Sequence, residues 1–240
     1  MSQDTDIGVL FLHALPLGGS MWASQMSILP GHTYAPTLYA FGNTLTEWAT
    51  KALSLVKQDR VIVVGCSVGG SCALEVAKLA PQRVLALVLI GTKPKHRPDP
   101  ELRDDALAMI AHKGTSAAWD QYWAPLFSDR TDPNIVQTAK TAALLHSSTD
   151  ISRGVAVFHS RESSDLFASQ CNIPITVVTG EDDSAPGLEL SSHVAASAQQ
   201  GKLHVIPSCG HYVPLEQPDA LREILTAVIA ENISNPDIPG

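Results

Sequence analysis

The chain has 240 residues, 45% hydrophobic and 17% charged, enough for one compact α/β domain with a sizeable buried core and unlike a disordered or fibrous protein. Its formal charge of −8, with no Lys/Arg run to replace counterions on phosphate, makes nucleic acid a poor partner. No apolar stretch reaches membrane-spanning length and the first residues lack signal-peptide character, so a cytoplasmic protein without membrane contact is expected.

In chain order, the first apolar run is Ile7 to Leu12, followed by a second from Thr33 to Leu38. Both read as strands. Thr44-Leu45-Thr46-Glu47 is a capping-box pattern that opens a helix toward Lys57. The run Val61 to Val64 reads as a strand buried on both faces, and it enters a Gly-x-Ser-x-Gly turn from Gly65 to Gly69. A helix from Gly69 to Ala80 follows, stopped by Pro81. A strand reversing into a helix this tightly leaves no room for side chains two places before and after its tip, which accounts for both glycines. The Ser67 hydroxyl then stands at the carboxyl end of a sheet, over a helix N-terminus whose free amides stabilise developing negative charge. The pattern recurs by chance in about one chain in ten of this length, so its weight depends on the rest of the chain.

Val84 to Ile90 is the next strand. The stretch from Lys93 to Gln170 carries helical periodicity, expected as helices at Glu101–His112, Ser116–Trp123, Pro133–His146 and Ile151–His159, but no convincing strand. It reads as a helical cap inserted into an α/β core made of 1–92 and 171–240, the cap being 93–170. Trp119, Tyr122, Trp123, Phe127, Phe158 and Phe167 cluster there, as the cap's own core or as a pocket wall. Beyond it come a strand at Ile175–Val178, a helix at Leu188–Gln199, a strand at Leu203–Ile206 and a helix from Pro218 to about Ala230, with a frayed tail from Asn232 to Gly240. Strands alternating with helices predict a doubly wound, mostly parallel sheet of about six strands, with ligands beyond the carboxyl ends.

A serine at neutral pH is a weak nucleophile and needs an imidazole to take its proton and a carboxylate to hold that imidazole. Thr179-Gly180-Glu181-Asp182-Asp183 follows one strand and Pro207-Ser208-Cys209-Gly210-His211 the next, on the same rim as Ser67. Spacing from Gly180 favours Asp183 as the acid, whereas spacing to Pro186 fits Asp182. Cys66, Cys72, Cys171 and Cys209 have no metal-ligand spacing and read as free core thiols, Cys66 pointing away from the serine's side of the turn. No metal and no cofactor are expected. His13 is expected to pack or hydrogen-bond beneath its loop, and His96, His146 and His159 lie in the cap.

The sequence resembles the α/β-hydrolase superfamily, specifically its small cap-bearing esterases and lactonases. The resemblance spans nearly the whole chain and rests on His13-Ala14-Leu15, Gly18-Gly19-Ser20-Met21-Trp22, the Gly65 to Gly70 turn, Gly180-Glu181-Asp182-Asp183 and Gly210 to Pro218. It implies Ser67 as nucleophile, His211 as general base, Asp183 as orienting acid, and an oxyanion hole from the backbone N–H groups of Leu15 and Val68. The usual N-terminal antiparallel hairpin is not expected here, and Ala14 stands where relatives often have glycine. The implied activity is cleavage of a carboxylic ester, thioester or lactone of a small acyl substrate. The same pocket could instead serve an acyltransferase or lyase working on a biosynthetic intermediate, or a slow-turnover ligand receptor.

Overall fold

The computed structural model describes residues 6–234. The strands are β1 (Ile7–Leu12), β2 (Thr33–Tyr34), β3 (Arg60–Cys66), β4 (Val84–Ile90), β5 (Ile175–Gly180) and β6 (Gly201–Ile206). They form one sheet in the order β2-β1-β3-β4-β5-β6, and every pair is parallel. The helices are α1 (Leu45–Ser54), α2 (Val68–Leu79), α3 (Pro100–Ala118), α4 (Pro133–Leu144), α5 (Ser148–Ser160), α6 (Asp165–Gln170), α7 (Gly187–Ser197), α8 (Val213–Glu216) and α9 (Pro218–Ser234).

The unalternating runs form the centre of the sheet, where β1, β4 and β5 are buried along their whole length. Helices α1, α2, α6 and α7 pack in succession, α2 lying on β1, β3 and β4, while α9 packs on β4. Burial on both faces is what a parallel sheet wound by helices requires. β6 is the edge and is mostly exposed until Ile206. β2 is shorter than the six-residue strand expected from Thr33, because Pro36 has no N–H to give to the ladder. The departing chain then packs so tightly on the β1 loop that a Cβ on Gly19 would lie 2.0 Å from the Ala35 oxygen.

The expected capping box at α1 is formed: the Glu47 N–H donates to Thr44 Oγ1 at 3.2 Å and the Thr44 N–H donates to the Glu47 carboxylate at 3.1 Å. The helix stops at Ser54, short of Lys57, through tightened bonds from Leu55 and Val56. Between β4 and β5 lies the helical cap, in which α3 packs on α5 and touches α4. The two helices expected at Glu101–His112 and Ser116–Trp123 meet at a break at Gly114, whose φ 85° and ψ 166° are not helical, and the second ends in a wide turn over Trp119–Trp123. α6 was not expected. The tail expected to fray from Asn232 is helical to Ser234, and 235–240 lie outside the described residues.

Parallel pairing is what brings distant residues together. Leu12 pairs with Gly65, Cys66 with Ile90, Ile90 with Val178, and Gly180 with Ile206. The segments that follow these strand ends therefore share one rim, where His13, Ser67, Gly91, Asp183 and His211 are found.

Candidate active site

Ser67 sits at the tip of the turn with φ 56° and ψ −118°, in the positive-φ region that L residues rarely occupy. The surroundings impose this conformation. A Cβ on Gly65 would lie 2.2 Å from the Gly69 oxygen, and one on Gly69 would lie 2.1 Å from the Leu12 oxygen. The Ser67 N–H donates to the Ile90 carbonyl at 2.8 Å, tying the turn to β4. The Ser67 carbonyl accepts from Gly70 and Ser71 at 3.0 and 3.3 Å as the first turn of α2. In a planar trans peptide the Val68 N–H then points the opposite way, out of the helix end.

The loop after β1 is held in a similar manner. His13 is fully buried; its Nδ1 lies 3.1 Å from the Ala14 carbonyl, and its Nε2 accepts from the Leu38 N–H at 2.9 Å. The Ala14 carbonyl also accepts from the Leu17 N–H at 3.0 Å, so the Leu15 N–H faces away from this bonded side. Two buried tyrosines fix the neighbouring carbonyls: Tyr212 Oη donates to Leu15 at 3.0 Å and Tyr39 Oη to Leu17 at 2.6 Å. Burial, partly offset by the Ala14 bond, lowers His13 from 6.5 to about 4. Between these values the unfolded chain binds a proton that the folded chain refuses, so this contribution to stability is complete above about pH 6.5 and is lost as pH falls toward 4. The stability difference between the wild type and His13→Gln is therefore expected to shrink by about 2–3 kcal/mol between pH 7 and pH 4.5 in urea titrations.

His211 and Asp183 are 2% and 6% exposed. The imidazole Nδ1 lies 3.2 Å from both Asp183 oxygens, and Asp183 Oδ1 also accepts from the Ala185 N–H at 2.8 Å. Asp182 turns the other way: its carboxylate accepts from Ser128 Oγ at 2.5 Å and lies 3.7 Å from Arg130. One acid of the pair faces the imidazole, and the other faces the cap. Cys66 donates to the His211 carbonyl at 3.7 Å, and its thiol is pushed well above its usual range by burial and then by Asp183.

Three further residues shape this arrangement, and sequence reading assigned them no role. Gly91, just past β4, has φ 52°, and a Cβ there would lie 2.7 Å from the His211 ring and 3.2 Å from Asp183. Gly91→Ala is expected to displace the imidazole and lower kcat/KM by about 10²-fold, measured beside a thermal melt to separate it from unfolding. Tyr212 ties the histidine loop to the β1 loop, and its ring packs 4.6 Å from Phe127 of the cap. The buried Glu216 carboxylate accepts from the N–H groups of Gly210 at 2.9 Å, Tyr212 at 2.9 Å and Ser128 at 3.0 Å, and from Thr131 Oγ1 at 2.6 Å. Glu216 lies in the histidine segment that carries the family resemblance, but nothing in the sequence marked its carboxylate as a meeting point for donors.

Ser67 and His211 share a cavity of about 240 Å³ between sheet and cap. Its walls are mostly apolar, and of the cap's aromatic residues Tyr122, Trp123 and Phe158 reach it. Trp119 and Phe127 pack 6.0 Å apart within the cap instead. His159 and the exposed Lys93 also border the cavity, whereas His146 lies against Tyr39 at 5.2 Å. Behind Phe158, Arg161 stacks with its Cζ 3.9 Å from the ring centre, and burial lowers its guanidinium to about 10. Among the described residues no His, Cys, Asp or Glu cluster could hold a metal, and no helix is long and apolar enough to cross a membrane.

A parallel sheet wound by helices, a serine at a strained strand-to-helix tip and a helical cap over the carboxyl rim define the α/β-hydrolase architecture. A family model described as the alpha/beta hydrolase family matches residues 9–224, and the chain belongs to that family. A thermophilic esterase from Thermogutta terrifontis superposes with a TM-score of 0.83 at 21% identity, over 94% of this chain and 90% of that one, a likeness of fold. In sequence, the chain is 25% identical over 182 residues to a protein of Bacillus subtilis named putative 2-succinyl-6-hydroxy-2,4-cyclohexadiene-1-carboxylate synthase, covering 71% of this chain. It is 36% identical over 97 residues, 36% of this chain, to a pimeloyl-[acyl-carrier protein] methyl ester esterase of Aromatoleum aromaticum. The matches span 66% and 37% of those two relatives.

Proposed function

We propose that the chain is a serine hydrolase cleaving a carboxylic ester, thioester or lactone of a small acyl substrate. The observation that carries this reading is the His211 imidazole, 3.2 Å from Asp183 on one side and sharing a cavity with the elbow serine Ser67. In this reading Asp183 accepts the Nδ1–H of His211, which leaves Nε2 free to take the Ser67 proton as Oγ attacks the carbonyl carbon. The carbonyl π pair moves onto oxygen, and the Leu15 and Val68 N–H groups, turned away from their bonded carbonyls, stabilise it. Collapse expels the leaving oxygen or sulfur, which takes the proton from His211 and leaves an ester on Ser67. Water, deprotonated by the same imidazole, then attacks that ester and releases the acid. The cap, proposed as 93–170 over a core of 1–92 and 171–240, shields the acyl-enzyme. The four free cysteines suit a cytoplasmic setting.

The test is intact-mass analysis after treatment with a fluorophosphonate, followed by a screen of acyl esters, thioesters and lactones in ¹⁸O water. One adduct on Ser67, and one ¹⁸O in the released acid, are expected. Labelling elsewhere would overturn the nucleophile. Turnover without ¹⁸O incorporation would turn the reading toward transfer or elimination.

A further inference from the structure

The cavity wall where the chain enters the cap carries Lys93, and Arg161 stacks on its Phe158 ring; neither cation belongs to an ion pair among the described residues. Where the chain leaves β4 and where it returns from α5, the two segments are laced together. His96 Nε2 lies 2.9 Å from the His159 carbonyl, Ser163 Oγ bonds the His96 N–H and carbonyl at 2.8 and 3.0 Å, and the Ser164 N–H donates to Pro94 at 2.8 Å. This lacing puts Lys93 and His159, both at the cavity, on neighbouring strips of chain. No Asp or Glu lines the cavity.

Behind this wall is Arg161, only 6% exposed. One of its terminal nitrogens donates to the Phe158 carbonyl, its Nε is buried without a hydrogen-bond partner, and it belongs to none of the ion pairs among the described residues. The His159 Nδ1 is likewise buried without a partner. A guanidinium withdrawn from water is costly unless an opposite charge lies close by, and a cavity whose adjoining wall is built from the very ring it stacks on is where such a charge can sit. An otherwise apolar wall with few donors suits a single compact anion.

We propose that the Lys93–His159 wall, with Arg161 behind it, is a carboxylate subsite, and that the natural substrate bears a free carboxylate in addition to the bond that is cleaved. The choice of reacting bond rests on the hydrolytic reading above; the anion does not.

The probe is a matched pair, mono-p-nitrophenyl glutarate and p-nitrophenyl methyl glutarate, which differ in one charge at the far end. The wild type is expected to favour the anionic ester at least tenfold in kcat/KM, mainly through KM. Lys93→Met, at an exposed position, and Arg161→Met, which keeps side-chain length without charge, are each expected to cut that ratio severalfold. Because Arg161→Met removes an uncompensated buried charge, its Tm is expected to equal or exceed that of the wild type. Equal kcat/KM for the two esters, or a preference left intact in Lys93→Met, overturns the subsite. If neither ester turns over, the hydrolytic reading is judged by the fluorophosphonate label and the subsite by calorimetry. Glutarate should then bind the wild type at least tenfold more tightly than Lys93→Met, and equal binding overturns it.

Discussion

Ser67→Ala is expected to lower turnover of any cleaved ester by about 10⁴- to 10⁶-fold while leaving the far-UV circular dichroism and the melting temperature nearly unchanged. The size of the loss follows from the proposed role: without Oγ no covalent intermediate would form, and only binding and the two proposed backbone donors would remain to assist attack by water. The preserved fold follows from geometry. Alanine carries the same Cβ as serine into the same φ of 56°, so the strain in the turn is neither relieved nor increased. The Ser67 N–H still donates to Ile90, and the first turn of α2 still closes on the residue's carbonyl. A variant that keeps more than a few per cent of wild-type turnover after purification would remove Ser67 from the mechanism.

Glu216→Ala is expected to destabilise the protein by about 3–5 kcal/mol, a fall in melting temperature on the order of 10 °C for a chain of this size. The carboxylate gathers three backbone N–H groups and one hydroxyl, and two of those N–H groups, on Gly210 and Tyr212, flank His211. Removing it leaves those donors buried and unpaired and frees the loop that aims the imidazole. Below the new melting temperature, kcat should fall with less change in KM, because Glu216 holds the loop of the proposed base without itself lining the cavity. Glu216→Gln separates charge from shape: its amide oxygen can still accept, but its NH₂ faces N–H donors, so it should recover only part of the stability. A melting temperature within 2 °C of the wild type for Glu216→Ala would show that water satisfies these donors equally well.

Much of the fold was legible because strands buried on both faces write themselves as unbroken apolar runs, and Val61 to Val64, Val84 to Ile90 and Ile175 to Val178 all became central strands. Thr33 to Leu38 was read as a strand too, but it is cut short at Pro36, whose effect depends on where the ladder bonds would fall. α6 escaped notice because it is short, spanning only Asp165–Gln170. At the site, Ser67 and His211 carry local signatures in their flanking glycines and strand ends. The orientation of Asp182 against Asp183 is settled by how a turn is wound, with Gly180 so close to the next loop that a Cβ on it would lie 2.1 Å from the Cys209 oxygen. Gly91 and Glu216 leave still less trace, since their importance lies in contacts across the molecule. Which cap aromatics face the cavity depends on the Gly114 kink and the wide turn after it, both of which reset the helical phase.

Two neighbouring carboxylates, Asp182 and Asp183, hold different parts of the molecule across a single peptide bond: the first grips Ser128 at the base of the lid, the second steadies the ring of His211. Tension on the lid's anchor is therefore delivered one residue away from the ring's own support. Substitutions at Ser128 or Arg130, although outside the cavity lining, cannot count as silent controls, because the joint they loosen is shared.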